Sequence, residues 1–314
     1  MNTPFIQFIS ITKIFSKKIV LDNVNLEIPY GEIFGIIGKS GSGKTTLLSI
    51  LVGFIKPEKG KAFFQGQDLS RFTNNIRQQF GFTAQEGSFY PNLTVRENLE
   101  YFGTLYNIPY ASLKEKIPET LKLVNLTEAE NKVGRSLSSG MKKRLDIACA
   151  ILHDPKVLIL DEPTEDLDPL LRKEVLRLLR KINKEKNVTI IMTTHLLEEI
   201  ESVCSRVAIL DNRTIIESGT VNELKDKYSK NQEIILETYS GKYEWLIKIL
   251  KPNKLVEKIF ESDGRLIVYS PKAEGMLKFM LHEIEKKKEK VQDVDLNKPS
   301  LSEVFESLTS QDKK

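Results

Sequence analysis

Apolar positions recur with two rhythms, and each rhythm points to an element. "FIQFISITKIF" (5–15) is rich in β-branched and aromatic residues and predicts a strand. "VNLEI" sets Val24, Leu26 and Ile28 on one face before the turn "PYG". "EIFGIIG" (32–38) is a short apolar strand, and "GKTTLLSILVGF" (43–54) a helix with Leu47, Leu48, Leu51 and Phe54 on one side. From about 88 to 153 the pattern turns helical, in "TVRENLEYFGTLY", "SLKEKIPETLKLV" and "SSGMKKRLDIACAIL". The α/β alternation then returns. "VLIL" (157–160) and "VTIIMT" (188–193) read as buried parallel strands flanking the helix "LLRKEVLRLLRKINKE". "RVAILDNRTIIESG" closes this part as a hairpin about Asp211-Asn212.

Beyond "LKDKYSKNQ" a new order begins: strand 233–239, helix 243–250, strands 254–261 and 265–270, helix 272–288, strand 291–295. That βαββαβ order is ferredoxin-like and carries no chemical motif. The expected division is therefore a domain at 1–228, with a helical subdomain inserted at about 88–153, and an α+β accessory domain at 229–314. In "SLSEVFESLT" (300–309), Leu301, Val304, Phe305 and Leu308 form an apolar stripe. It packs on its own domain, or it docks on the larger domain or a partner chain.

A length of 314 residues suits two domains, and 40% hydrophobic with 29% charged residues is the composition of a globular protein. No apolar run reaches the roughly 20 residues of a membrane helix. "MNTPFIQFIS" lacks the basic and apolar regions of a signal peptide, so the expected location is the cytosol, with membrane contact only through a partner. A net charge of +4 without a basic stripe gives no reason to expect nucleic acid. Cys149 and Cys204 lie in apolar surroundings and read as buried small hydrophobes. His153 and His282 have no metal-ligand spacing and read as structural or surface residues.

Chemistry concentrates in a few stretches. Gly38-Lys39-Ser40-Gly41-Ser42-Gly43-Lys44-Thr45 matches G-x-x-x-x-G-K-[ST] between a predicted strand and helix. Backbone N–H groups of such a turn wrap a phosphate, Lys44 reaches the β and γ phosphates, and the Thr45 hydroxyl suits Mg²⁺. Thr46 follows on the first helical turn. "VLILDEPT" brings Asp161 and Glu162 to the C-terminal end of a buried strand, where open α/β sheets bind ligands. The two carboxylates divide between a metal shell and an attacking water. His195 ends "TIIMTTH" at the same edge, and Gln85 in "GFTAQEG" is a candidate metal or water ligand. "SLSSGMKKRL" (136–145) leads small residues into a basic helix and is a second anion grip.

Phosphate loop, Gln85, "LSSGM", "VLILDEPT", "EDLD" and His195 follow the order of an ABC-type ATPase subunit, which the chain resembles over about residues 4 to 225. The resemblance implies a P-loop NTPase (RecA-like) core with N-terminal antiparallel β elements and the inserted helical subdomain. It also implies ATP and Mg²⁺, and a head-to-tail dimer in which Ser138, Ser139 and Gly140 reach the nucleotide held by the partner's Lys44. By the same resemblance Phe15 stacks on adenine, although Tyr is commoner there. Thr45, Gln85 and Asp161 hold the metal, Glu162 is the general base, His195 contacts the γ-phosphate, and Asp168 communicates across the dimer.

Two departures stand out: Ser139 and Met141 where "LSGGQ" is usual, and Glu165 and Asp166 where small residues are usual. The first affects the trans phosphate contact; the second adds charge at the dimer seam. "SSGMKKRLDIACAIL" and "KPSLSEVFESLT" resemble the subgroup serving ABC-2-type export permeases. The expected function is thus an exporter's ATPase subunit beneath an integral membrane permease contacted through the helical subdomain. The alternatives are an importer ATPase or a non-transport ABC ATPase on a soluble macromolecular partner.

Overall fold

The apolar runs at 32–38, 157–160 and 188–193 become strands of one central sheet. The computed structural model describes residues 4–71, 74–85, 87–228, 232–262, 264–297 and 300–309. The chain divides into two units, Met1–Thr220 and Val221–Lys314.

The first unit begins with β1 (Ile6–Phe15), β2 (Lys18–Ile28), β3 (Ile33–Ile37), α1 (Lys44–Leu51), β4 (Lys59–Phe64), β5 (Gln67–Asp68), α2 (Asn74–Arg77) and β6 (Phe80–Thr83). The helical stretch follows, with α3 (Val95–Leu105), α4 (Tyr110–Leu123) and α5 (Ser139–Ile151). Then come β7 (Val157–Asp161), α6 (Pro169–Lys186), β8 (Thr189–Thr194), α7 (Leu197–Val203), β9 (Arg206–Asp211) and β10 (Thr214–Thr220). The six-stranded sheet has the order β10-β9-β3-β8-β7-β6. All its neighbours are parallel except the β9–β10 hairpin. That hairpin turns on Asn212 and Arg213, both at positive φ, as a two-residue turn matching strand twist requires. β3 and β7 are buried along their whole length, which is why they read as unbroken apolar runs.

A separate antiparallel sheet, β2-β1-β4-β5, packs its inward residues with Leu47, Leu48 and Leu51 of α1 in one core. One expectation differs here. Helix α1 stops at Leu51, ahead of Gly53 at φ +74°, so Phe54 leaves the apolar face and is 67% exposed, edge-on to Phe82. Strands β4, β5 and β6 show no alternation: β4 opens on three exposed residues, β5 has only two, and β6 is covered on both faces.

His153, just after α5, reads as structural and is so. Its ring stacks flat on Tyr106 with centroids 3.5 Å apart, and Nε2 lies 3.1 Å from the Phe80 carbonyl. Burial pushes the imidazole pKa down to about 4. Its contribution to stability is complete above the unfolded pKa of about 6.5 and is lost as pH falls towards about 4, because only the unfolded chain takes the proton in that window. The loss amounts to about 3 kcal/mol. Urea midpoints at about pH 7.5 and about pH 4.5 should therefore separate further in the native chain than in His153→Gln. Parallel decreases in both chains would contradict this.

The second unit runs α8 (Val221–Tyr228), β11 (Gln232–Thr238), α9 (Glu244–Leu250), β12 (Lys258–Ser262), β13 (Arg265–Ser270), α10 (Ala273–Lys286), β14 (Val291–Asn297) and α11 (Leu301–Thr309). Its antiparallel sheet has the order β12-β13-β11-β14, the strand order of a ferredoxin-like fold. A separate core gathers Ile234, Leu236, Leu246, Leu250, Val268, Met276 and Met280. Strand β12 starts four residues later than the expected 254, after the turn at Asn253. Helix α8 packs on α11, with Leu224, Leu301 and Val304 buried, so it falls in this unit rather than the first. Among the described residues, no helix is long and apolar enough to cross a membrane.

Candidate functional site

The parallel strands end in register, and their loops hold the chemistry. Ile37 pairs with Thr194, and Asp161 with Thr193, so the loops after β3, β7 and β8 share one edge. After β3, residues 38–43 cross to α1. A Cβ on Gly38 would lie 2.3 Å from the Leu210 carbonyl oxygen, so only glycine fits. Gly41 and Gly43 sit at φ +76° and +109°, which turns the loop back over the helix start. Helix α1 has no side-chain cap and no acid in its first turn, which leaves its leading N–H groups to an anion. The Ser42 hydroxyl is buried without a partner. Lys44 Nζ, also buried, donates to the Gly38 carbonyl at 2.9 Å and lies 3.4 Å from that of Lys39. A cradle of N–H donors, an unpartnered hydroxyl and an ammonium fits a phosphate chain. Lys39, Ser40 and Thr45 are exposed around it, and Thr46 is half-buried.

Asp161, the buried last residue of β7, accepts from the Thr193 hydroxyl at 2.5 Å. Glu162 follows at φ +49° and donates its N–H to the same hydroxyl at 3.1 Å. A non-glycine residue in the left-handed region is strained, and its neighbours must hold it there. Glu162 Oε2 lies 3.0 Å from His195 Nδ1, and Oε1 lies 3.7 Å from Lys44 Nζ. Lys44, Asp161, Glu162 and His195 are thus brought together.

Gln85, past the end of β6, donates Nε2 to Glu165 at 2.5 Å, and its carbonyl accepts from Lys143 at 3.0 Å. The loop after it is stitched to the helices by two buried polar residues. Asp146 of α5 accepts from the N–H groups of Ser88 at 2.6 Å and Phe89 at 3.2 Å; burial raises its pKa, and these bonds and Lys143 oppose the rise. Asn98 of α3 accepts from Tyr90 N–H and donates to the carbonyls of Tyr90 and Thr94.

Ser138 caps α5 through a long 3.4 Å bond from Met141 N–H, and Ser138 and Ser139 are exposed. Gly140 is buried, where a Cβ would lie 2.9 Å from Leu171. Asp168 caps α6 by accepting from the N–H groups of Leu170 and Leu171. Phe15 is exposed at the tip of the β1–β2 hairpin, with Lys13 Nζ 4.9 Å from its ring centre. Among the described residues, no hydrogen bond or ion pair joins Ser138, Ser139 or Gly140 to Lys44 or Glu162.

Residues 21–165 match the ABC transporter family model. The linearmycin resistance ATP-binding protein LnrL of Bacillus subtilis is 30% identical over 302 residues, which cover 96% of each chain. The chain belongs to the ABC transporter family of ATP-binding subunits. Among solved structures, cbiO1 from Clostridium perfringens, part of the transporter complex cbiONQ, aligns with a TM-score of 0.67 at 27% identity. That alignment covers 71% of this chain and 91% of the other. A dimeric ATP-binding cassette bound to ADP and Pi after hydrolysis aligns at 28% identity with a TM-score of 0.61, over 68% of this chain and 98% of that one.

In this ABC ATPase, sequence reasoning missed Asp146, Asn98, Thr193 and Glu199. The signal for Asp146 was an acid inside the apolar run "LDIACAIL". For Glu199 it was the spacing of four residues from His195.

Proposed function

We propose that this ABC ATPase binds and hydrolyses ATP as a dimer of two copies and drives a separate membrane exporter. The observation that carries it is the Glu162 carboxylate held between His195 at 3.0 Å and Lys44 at 3.7 Å, at the mouth of the phosphate loop. In this reading Glu162 takes a proton from the attacking water, Lys44 holds the β and γ phosphates, and His195 contacts the γ-phosphate. Gly38 to Thr46 cradle the phosphates, and the Phe15 ring stacks on adenine. Thr45, Asp161 and Gln85 would supply oxygen donors of the kind Mg²⁺ takes, and the ion would add positive charge to the phosphate oxygens.

The dimer rests on the exposed Ser138–Ser139 grip, which has no bond to this chain's own Lys44 or Glu162. The dimeric cassette among the similar structures supports the association of two copies. Asp168, at the start of α6, then lies on the path between the two sites. The membrane partner is assigned to the helical segment at 88–153. A cavity of about 490 Å³ lies beside it, lined by Phe54, Phe82, Leu105 and Tyr106, with Phe54 and Leu105 exposed. Export is favoured because likeness to a resistance protein runs through the C-terminal unit as well. The division of labour is an ATPase domain at 1–220 and an accessory domain at 221–314, eight residues earlier than the expected boundary, with the protein peripheral on the cytoplasmic face of the membrane.

Extraction of membranes in mild detergent tests this reading. The chain should co-purify with an integral membrane protein, and Leu105→Arg should release it while ATPase persists. Recovery with ribosomes or nucleic acid instead would overturn the transport reading.

A further inference from the structure

Behind the reactive edge lies a buried carboxylate that the proposed chemistry does not use. Glu199, in the first turn of α7, is 3% exposed. Its Oε2 accepts from the Thr164 hydroxyl at 2.7 Å and the Thr194 hydroxyl at 2.9 Å. Thr164 stands two residues after Glu162, and Thr194 immediately precedes His195. One oxygen therefore ties the loop carrying Glu162 to the strand end carrying His195. Thr194 in turn accepts from Leu196 N–H at 3.0 Å, which shapes the backbone on the far side of His195. The other oxygen, Oε1, faces Arg172 Nε at 3.5 Å, and Arg172 Nη2 donates to the Leu167 carbonyl at 3.0 Å. That reaches the loop ending at Asp168.

Packing does not require a carboxylate at this position. Its neighbours on α7, Ile200 and Val203, fill the interior with apolar side chains. A buried carboxylate is costly unless its partners compensate, and an apolar residue of similar volume would serve packing as well. Burial raises the Glu199 pKa, opposed by Thr164, Thr194 and Arg172, while the nearby Glu162 charge adds to the rise. The strained Glu162 backbone needs neighbours that hold it, and both hydroxyls run to this one group.

We propose that Glu199 is a positioning residue that sets the Glu162–His195 contact and joins it, through Arg172, to the Asp168 loop. This rests on the roles given above to Glu162 and His195.

Steady-state ATPase of the full chain tests it, in the native background and in His195→Ala. Glu199→Ala should lower kcat about tenfold with KM for ATP within about threefold, because it acts on geometry rather than on nucleotide contact. In the His195→Ala background the same change should cost less than about twofold, since the contact it supports has gone. Glu199→Gln keeps the shape and one carbonyl oxygen for both hydroxyls, and should restore kcat to within about threefold of native. Should Glu199→Ala fail to fold by circular dichroism, Thr164→Val removes one tie and carries the same comparison. Equal losses in both backgrounds, or a raised KM with kcat unchanged, would overturn the positioning role alone. A silent His195→Ala would overturn the role given to His195 together with it.

Discussion

Glu162→Gln should lower ATP turnover at least about a hundredfold, or ~2.7 kcal/mol of barrier, with ATP binding intact. The amide has the size of the carboxylate and can hydrogen-bond His195, but it cannot take a proton from water. Nucleotide contacts are assigned to the phosphate loop, Phe15 and His195, none of which the substitution changes, so affinity should stay near native. ATP that persists at a shared site stabilises the associated state by mass action, and an ATP-bound dimer should accumulate. Light scattering in ATP should show it. Normal turnover with monomers only would remove Glu162 from the role of base.

Ser138→Arg should be equally severe for a different reason. Ser138 is exposed at the start of α5, with no bond to its own chain's Lys44 or Glu162. Arginine there costs the helix its cap, about 1 kcal/mol, which a folded unit of this size tolerates. The chain should still bind ATP at its own phosphate loop, read by a fluorescent nucleotide, yet its ATPase should fall at least about a hundredfold because the bulk blocks the partner's phosphate. Loss of nucleotide binding in the variant alone would place Ser138 at its own chain's site instead.

What could be read in the sequence follows from how local each cause is. Strands β3, β7 and β8 announce themselves because neighbours cover both faces, leaving no polar alternation. The phosphate loop is legible because its chemistry demands glycines at fixed spacing. The contact between Glu162 and His195 is not local: it spans thirty-three residues and depends on strand order. Glu199 reaches back thirty-five residues to Thr164, and Asp146 reaches fifty-eight to Ser88, so neither pairing has a sequence period. Glu165 reads as added charge near a dimer seam, and its bond to the Gln85 amide, eighty residues away, has no sequence signal either. Phe54 fits a helical stripe by spacing, but the helix ends before reaching it.

Mixing Lys44→Ala chains with Ser138→Arg chains asks most directly whether each catalytic site is built from two copies. Each variant alone should be inactive, the first unable to hold phosphate and the second obstructing its partner's. In a mixed dimer, one site pairs an intact Lys44 with an intact Ser138. ATPase of the mixture should therefore rise well above the sum of the separate chains, towards about a quarter of native activity if one site turns over alone and pairing is random. Substantial activity of either variant by itself, or a mixture no more active than its parts while light scattering shows that mixed dimers form, would contradict a site shared between two chains.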